Sequence, residues 1–278
     1  MKGCICLDID GTITADPYRV PDTVIDCFRS LYLEGWSFVF VTGRTYAFAL
    51  NTLLNMNFPY FFGVQNGADI LLMPEKKSIA QEYLTSEVIL EIEKAHEEIK
   101  EGFLIYSGLE KGDFCYYRPA SFSSDMKNHL GKIRLLSPIP WQEKEDFCFS
   151  VDQSFPLIKS LGSKEEMLAL NQKLKKIPGI EAVYIKDPLG DNVYLNLITA
   201  TKANKGNVLK KIRTLFPLGT QFIAAGDDYN DVSLLKEADL SIVMNTAPED
   251  MISLGDIIAR SAKEEGIIEA LLQATGSI

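Results

Sequence analysis

Short apolar runs alternate with segments of helical periodicity in the first part of the chain. The apolar runs cover residues 3–9, 37–41 and 61–65, and helical spacing covers residues 22–35 and 46–55. Strands that are apolar on both faces and are separated by helices are typical of a parallel sheet buried between two helical layers. The pattern therefore predicts an α/β fold with a doubly wound, Rossmann-like parallel-sheet core.

Residues 82–200 follow a different pattern, in which helices precede pairs of strands joined by turns. Helices are predicted at residues 86–100, 123–132 and 164–175, hairpins at 103–118 and 181–198, and a single strand at 147–151. The second hairpin turns at Pro188-Leu189-Gly190-Asp191. Helix–hairpin units of this kind imply a mainly antiparallel sheet in a domain of its own.

The first pattern resumes after residue 200. Strands are predicted at residues 221–225 and 240–243, and a closing helix is predicted from residue 262. We therefore expect two domains. The catalytic core comprises residues 1–81 and 201–278, and an α+β domain of residues 82–200 is inserted into it.

Composition narrows the partners that the protein could have. The chain of 278 residues has a formal net charge of −10, and 46% of its residues are hydrophobic. An acidic surface repels polyanions, which argues against nucleic acid as a partner. The apolar runs are far shorter than the ~20 residues of a membrane helix, and the N-terminus lacks the pattern of a signal peptide. We expect a folded cytoplasmic protein without a membrane partner, and both a monomer and a dimer remain open.

Cysteine and histidine offer little chemistry in this sequence. The five cysteines are scattered and odd in number, which argues against a disulfide framework. Cys4 and Cys6 lack further soft metal ligands nearby, so we interpret them as buried thiols of a strand. His96 and His129 lie in charged helical surroundings, and we expect both at the solvated surface rather than in a catalytic site.

Two carboxylates follow the first apolar run, in the segment Asp8-Ile9-Asp10-Gly11-Thr12. In open parallel sheets, ligands bind outside the carboxyl ends of the strands. One carboxylate could attack phosphorus there while the other moves protons. A plain Asp-Gly turn is the alternative. A calcium loop is excluded, because counting from Asp8 it requires Glu at the position where Arg19 stands.

Two further segments are expected at the same edge of the sheet. Thr42-Gly43-Arg44 follows the second apolar run, and its hydroxyl and helix-starting N–H groups suit an anion. Lys205-Gly206 begins the helix after the insertion, where a lysine could neutralise phosphate and steady a carboxylate. An ordinary turn and a solvated lysine are the alternatives, and Lys202 competes with Lys205 for this role. A close approach of the helix start at Gly206 favours Lys205.

The segment Gly226-Asp227-Asp228-Tyr229-Asn230-Asp231 follows the strand predicted at residues 221–225. Its three carboxylates and one amide form an oxygen-rich set that suits a hard divalent cation such as Mg²⁺. A solvated acidic turn is the alternative. All four segments stand at strand ends or helix starts of one core, and this joint arrangement is far more specific than any single segment.

As a set, these segments resemble the motifs of the haloacid dehalogenase superfamily of phosphatases. The inserted domain resembles the type-two cap, as in subclass IIB, of the Cof-type branch, and Gln65-Asn66-Gly67-Ala68 is similar to a segment of that branch. The resemblance implies a nucleophile at Asp8, a general acid/base at Asp10 and a catalytic role for Lys205.

The resemblance also implies ligands for Mg²⁺ and for a phosphoryl group. The metal would be held by Asp8, the backbone carbonyl of Asp10 and Asp227, and Asp231 would support metal-bound waters or Lys205. The residues expected to contact the phosphoryl group are Gly11, Thr42, Gly43, Arg44, Lys205 and Asn230.

The function expected from these residues is Mg²⁺-dependent hydrolysis of a small phosphorylated metabolite, such as a sugar phosphate, through an aspartyl phosphate. A phosphomutase on the same scaffold is one alternative, and it would require a bisphosphate activator. A non-catalytic phosphate-binding protein is another, and the competent residues in all four segments speak against it.

Overall fold

The computed structural model describes residues 2–136, 139–187, 190 and 192–276. The chain forms two compact units. The first unit comprises Met1–Gly43, Ala49–Ala80 and Asn204–Ile278. The second comprises Gln81–Ala203 together with the short segment Arg44–Phe48. Of the turn predicted at Pro188-Leu189-Gly190-Asp191, all but Gly190 lies outside the described residues.

The strands and helices of the described residues are numbered in chain order. The strands are β1 (Gly3–Asp8), β2 (Trp36–Val41), β3 (Tyr60–Val64), β4 (Asp69–Met73), β5 (Lys77–Gln81), β6 (Leu84–Thr85), β7 (Phe103–Tyr106), β8 (Cys115–Tyr117), β9 (Trp141–Glu143), β10 (Ser154–Phe155), β11 (Leu157–Gly162), β12 (Ile180–Lys186), β13 (Tyr194–Ala200), β14 (Gln221–Gly226), β15 (Leu240–Met244) and β16 (Ile257–Ala259). The helices are α1 (Asp22–Leu33), α2 (Tyr46–Thr52), α3 (Glu87–Ala95), α4 (Ser124–Leu136), α5 (Lys164–Leu174), α6 (Lys205–Arg213), α7 (Val232–Glu237), α8 (Glu249–Ile252) and α9 (Ile267–Thr275).

The sheet of the first unit has the order β16-β15-β14-β1-β2-β3-β4-β5. All pairs from β16 to β3 are parallel, which confirms the predicted parallel core. β3 and β4 pair antiparallel, so β4 and β5 form an edge that the sequence pattern did not reveal. β1 lies between β14 and β2, and the carboxyl ends of these three strands therefore lie side by side.

Helices pack on both faces of this sheet because its strands are apolar on both faces. Phe38 of β2 contacts Phe28 of α1 at a ring distance of 5.2 Å, whereas Val39 belongs to a buried cluster with Val208 of α6 on the other face. Cys4 and Cys6 are fully buried in that same cluster, as expected for core thiols.

The second unit contains a mixed sheet with the order β12-β13-β11-β7-β8-β9. Its neighbouring strands pair antiparallel except for β8 and β9, which are parallel. Side chains of α3 and α5 pack against one face, and side chains of α4 pack against the other. This sheet, separate from the parallel core, confirms the predicted α/β fold class with an inserted α+β domain.

One strand of the second unit was predicted at the wrong place. Residues 147–151 are not a strand, and their aromatic side chains instead pack as a loop, with Phe147 lying 5.1 Å from Phe103 between ring centres. The strand is β11, whose apolar run is interrupted by Lys159 and Ser160. These two polar residues find partners within the domain, so they do not prevent the strand.

Both histidines are buried, which overturns the expectation that they lie at the solvated surface. His96 contacts the carbonyl oxygen of Ile92 and the hydroxyl of Ser160, each at 2.8 Å. His129 contacts the carboxylate of Asp187 at 2.7 Å. Each partner belongs to another turn or strand, and such pairing allows a polar ring to be buried at little cost.

The segment Arg44–Phe48 belongs to the second unit, although the residues on either side of it in the sequence belong to the first. The backbone N–H of Ala47, in the first turn of α2, donates to the Asp113 carboxylate at 2.8 Å, and both residues belong to the second unit. Thr52, at the end of α2, donates to the carbonyl of Pro17 at 2.9 Å within the first unit. The helix α2 therefore begins in one unit and ends in the other.

No helix within the described ranges is both long enough and apolar enough to cross a bilayer.

Candidate active site

Asp8 is the last residue of β1 and is buried between the neighbouring strands. After the strand, the chain turns tightly, because the N–H of Gly11 donates to the carbonyl of Thr14 at 2.9 Å. Gly11 has a φ of +79°, and a Cβ at this position would lie 2.0 Å from Oδ2 of Asp227. Only glycine allows this backbone to approach Asp227 so closely.

Three carboxylates meet beside this turn. One oxygen each of Asp8, Asp227 and Asp231 lie within 4.8 Å of one another. Asp227 directly follows β14, and Asp231 ends a short 3₁₀ turn after it. Oδ2 of Asp231 accepts from the backbone N–H groups of Asp227 and Asp228 at 3.1 and 3.2 Å, which fixes the cluster to the end of β14.

Lys205 reaches this cluster from the first position of α6. Its ammonium nitrogen lies 2.6 Å from Oδ1 of Asp8 and 2.5 Å from Oδ1 of Asp231. The helix start is held by the Asn204 side chain, which accepts from the N–H of Asn207 at 2.9 Å. Lys202, the alternative left open by the sequence, is exposed.

Electrostatics show that the cluster holds more negative charge than Lys205 offsets. Burial, together with the charge of Asp231, raises the pKa of Asp8 to about 7, although Lys205 acts against the shift. Burial and the charges of Asp8 and Asp231 raise the pKa of Asp227 to about 9. Burial alone would lower the pKa of Lys205, but the charges of Asp231 and Asp8 hold it above its ordinary value.

The donor set fits a hard divalent cation. Clustered carboxylate oxygens are the ligands that Mg²⁺ prefers, and like charges this close raise each other's pKa unless a cation offsets them. In the described part of the chain, Asp8, Asp227 and Asp231 form such a cluster, and the pKa values of Asp8 and Asp227 are raised. Asp10 adds to the negative charge felt by Asp8, but its carboxylate is not one of the three that meet.

The residues expected to contact phosphate come from four segments, and those that carry Gly11 and Lys205 have been described above. Thr42 and Gly43 follow β2 directly, and the backbone of Thr42 is held by the carbonyl of Gly63 at 2.9 Å. Asn230 lies in the turn after β14, with Asp231 next to it. Arg44 is different, because it belongs to the segment assigned to the second unit. Its guanidinium lies 4.1 Å from the centre of the Phe48 ring.

Two side chains with supporting contacts were not assigned roles from the sequence. Thr12 donates to Oδ1 of Asp227 at 3.4 Å, and Ser233 accepts from the backbone N–H of Gly206 at 3.1 Å. A Cβ at Gly206 would lie 2.5 Å from the carbonyl oxygen of Ser233, so the glycine allows α6 to approach α7. This close approach was the reason to favour Lys205 from the sequence, but Ser233 gave no signal of its own.

Comparison with known proteins identifies the family. The family model of the haloacid dehalogenase-like hydrolases matches residues 5–271, nearly the whole chain. The chain belongs to the haloacid dehalogenase-like hydrolase family. This membership confirms the superfamily that the four sequence segments indicated, and it identifies the protein as a hydrolase.

Two phosphatases resemble this chain over nearly its full length. Phosphatase YwpJ of Bacillus subtilis is 23% identical and aligns over 95% of this chain and 96% of its own length. Phosphoglycolate phosphatase of Sulfolobus acidocaldarius is also 23% identical, over 99% of this chain and 97% of its own length.

Solved structures of haloacid dehalogenase-like proteins share the fold. A subclass IIB sugar phosphatase has a TM-score of 0.78 at 21% identity and covers 99% of this chain and 100% of its own. A haloacid dehalogenase-like hydrolase from Bacteroides thetaiotaomicron has a TM-score of 0.77 at 21% identity, with the same coverage. The parallel core and the separate mixed sheet of this chain thus match the architecture of a subclass IIB structure.

Proposed function

We propose that this hydrolase is a Mg²⁺-dependent phosphatase that takes the phosphoryl group of a small phosphorylated metabolite onto Asp8 and transfers it to water. The observation that carries the proposal is the buried contact of Asp8 with Lys205, beside Asp227 and Asp231, at the carboxyl end of β1. A carboxylate that is buried, paired with one cation and crowded by two anions is poised for chemistry rather than for stability.

Asp8 is the nucleophile of the first step. One of its carboxylate oxygens forms a bond to phosphorus while the ester P–O bond breaks, and Asp10 donates its proton to the departing alcohol oxygen. Lys205 holds Oδ1 of Asp8 and offsets part of the charge that would otherwise keep the two anions apart. The product of this step is an aspartyl phosphate.

Water completes the reaction in the second step. Asp10, now a carboxylate, accepts a proton from a water molecule whose oxygen bonds to phosphorus. The bond between phosphorus and Asp8 breaks, inorganic phosphate leaves, and Asp10 is again protonated. Thr42, Gly43 and Asn230 would hold the phosphoryl oxygens through both steps.

The metal ligands are proposed from the same geometry. Bound Mg²⁺ would be held by Asp8, Asp227 and the backbone carbonyl of Asp10, and would offset the charge shared by Asp8 and the phosphoryl group. Asp231 is better placed as a support than as a direct ligand. Its Oδ1 contacts Lys205 and its Oδ2 accepts two backbone N–H groups, so both oxygens already have partners.

A small metabolite is the substrate class that the data favour. A net charge of −10 disfavours polyanionic substrates. Two similar proteins, a phosphoglycolate phosphatase and a sugar phosphatase, are named for small phosphate esters. We therefore place a sugar phosphate or a similar compound first among the candidates.

The proposal is tested by incubating the full chain and Mg²⁺ with a panel of phosphorylated metabolites and measuring inorganic phosphate. We expect release by the wild type and none by Asp8→Asn. Transfer between sugar positions that requires a bisphosphate activator would instead indicate a phosphomutase. Phosphate binding without turnover of any ester would indicate a binding protein.

A further inference from the structure

Three successive residues after β3 have left-handed backbone. The φ angles are 52° at Gln65, 58° at Asn66 and 90° at Gly67, and all three residues are buried. Glycine adopts this region freely, whereas each residue with a side chain there costs on the order of 1 kcal/mol. Such outliers persist where the surrounding structure holds them, and they cluster at functional sites.

The turn places Asn66 in contact with two segments of the proposed phosphate site. Its backbone N–H donates to the carbonyl of Thr42 at 2.8 Å. Its side-chain Oδ1 accepts from Nδ2 of Asn230 at 3.4 Å, across 164 positions of sequence. Thr42 follows β2 and Asn230 follows β14, and these strands flank β1, which carries Asp8 at its end. One buried residue therefore connects the two sides of the site.

The contact with Asn66 also sets the orientation of the Asn230 amide. An asparagine amide nitrogen carries two hydrogens. When one of them is directed at Oδ1 of Asn66, rotation of the amide about its Cβ–Cγ bond is restricted, and so is the direction of the second hydrogen. That hydrogen is then oriented before any ligand arrives.

We propose that Asn66 is a positioning residue, which holds Thr42 and Asn230 at a fixed separation and turns the Asn230 amide towards the phosphoryl oxygens. The proposal rests on the proposed function, because the ligand between these residues is taken to be a phosphoryl group. Donors that are held in place before binding lose no conformational freedom when the ligand arrives. The entropic cost of ordering them therefore does not reduce the affinity for the ligand.

A purely structural role for the turn is the alternative. A Cβ at Gly67 would lie 2.3 Å from Val208, so the turn also allows β3 to pack closely against α6. Packing against α6 does not account for the side chain of Asn66. Its Oδ1 accepts from Asn230, which lies in the turn after β14 and not on α6.

The substitution Asn66→Gly separates these two roles. Glycine keeps the left-handed backbone and the N–H that bonds to Thr42, and it removes only the side chain that contacts Asn230. Gln65→Gly is the matched control, because it makes the same change at an adjacent buried residue of the same conformation. Thermal unfolding of both variants shows whether either one is less stable than the wild type.

The readouts are kcat/KM for a phosphate ester and the inhibition constant of inorganic phosphate, both with Mg²⁺. We expect Asn66→Gly to weaken phosphate inhibition and to lower kcat/KM by roughly three- to tenfold, the effect of one lost hydrogen bond. Gln65→Gly should leave both values close to those of the wild type. In an Asn230→Ala background, Asn66→Gly should cause no further loss, because the residue it acts through is already gone.

Three results would overturn the proposal. If the wild type hydrolyses phosphate esters and Asn66→Gly has the same kcat/KM, Asn66 does not act through Asn230. The same conclusion holds if the losses in kcat/KM of Asn66→Gly and Asn230→Ala multiply in the double variant. If the wild type neither hydrolyses phosphate esters nor is protected by phosphate against thermal unfolding, the proposed function is wrong. The site that Asn66 is proposed to organise is then absent as well.

Discussion

The ammonium group of Lys205 donates to Oδ1 of Asp8 at 2.6 Å, with only 1% of the Lys205 side chain and 5% of the Asp8 side chain exposed to solvent. Such a pair is costly to bury, and removing one partner leaves the other charge without compensation. Asp231 shares the same ammonium group, so Lys205 balances two carboxylates at once. The lysine is therefore expected to govern both the chemistry and the stability of this site.

We expect Lys205→Met to shift the acid limb of the pH–rate profile upwards. The pKa of Asp8 is already raised to about 7 with Lys205 present, and without that cation it rises further, so less of the proposed nucleophile is ionised at neutral pH. The rate of phosphoenzyme formation at pH 7 should fall by roughly 10²–10³. Rapid-quench measurement from pH 6 to pH 9 tests this expectation. Lys202→Met is the control, and an equal effect of that exposed lysine would contradict the assignment.

Asp10→Asn should separate the two chemical steps. It leaves the Asp8 carboxylate in place and removes the proposed proton carrier, so the rate should fall by roughly 10²–10⁴. With p-nitrophenyl phosphate, whose leaving group needs little protonation, the phosphoenzyme should still form and then decay slowly. Acid quenching of the labelled protein measures both phases. Labelled phosphoenzyme in Asp8→Asn would show that another residue is the nucleophile.

Chelation should abolish hydrolysis, because Asp8, Asp227 and Asp231 bring together more negative charge than Lys205 offsets. Mg²⁺ should restore activity better than Ca²⁺, since the smaller ion enforces octahedral geometry and the larger one accepts additional oxygens. Phosphate release after exhaustive dialysis against chelator, followed by titration with each ion, tests the point. Undiminished activity in the chelated protein would exclude the metal.

Much of the core and of its site could be predicted from sequence because both depend on local patterns. The strands of the core are continuous apolar runs, and Asp8 and Asp227 stand where such runs end. β11 was missed because Lys159 and Ser160 interrupt its pattern. The partners that allow these two residues to be placed in a strand are distant in sequence, so the neighbouring residues give no indication of them.

The burial of the histidines and the conformation of Asn66 could not be predicted from local sequence patterns, for the same reason. Ser160 lies 64 positions from His96, and Asp187 lies 58 positions from His129. Nothing in the neighbouring residues reveals either partner. An Asn-Gly pair signals a turn, but the contact with Asn230 depends on how β3 and β14 are arranged in the sheet.

His96 should make the second unit less stable in acid. Burial lowers the pKa of His96 from 6.5 to about 4, so between these values the unfolded chain binds a proton that the folded unit does not. Stability is therefore complete above pH 6.5 and declines as the pH falls towards 4, by up to about 3 kcal/mol.

Denaturant unfolding of wild type and His96→Gln at pH 7.5, 5.5 and 4.5 tests this linkage, because glutamine does not titrate. The variant should lose less stability than the wild type on acidification. Hydrogen exchange in α3, which carries the Ile92 carbonyl next to His96, localises the effect. Equal pH dependence of the two proteins would show that His96 does not contribute to it.

The second unit is expected to determine which metabolite is used, since the proposed contacts of the core are all to the phosphoryl group. Replacing residues 82–200 by a short linker should lower kcat/KM strongly for the preferred metabolite and much less for p-nitrophenyl phosphate. Circular dichroism must first show that the shortened chain folds. An unchanged ranking of metabolites would contradict this role.

The hydrogen bond from Ala47 to Asp113 has a consequence for how relatives of this protein can be recombined. A chimera that exchanges only Gln81–Ala203 has its acceptor, Asp113, from one parent. The segment with the donor, Arg44–Phe48, then comes from the other parent. That segment directly follows Gly43, so a mismatch would be transmitted to Thr42 and Gly43, which are proposed to hold the phosphoryl oxygens. Successful exchange of substrate preference should therefore require Arg44–Phe48 and Gln81–Ala203 to be inherited together, and variation at residues 44–48 should track variation at the inserted domain.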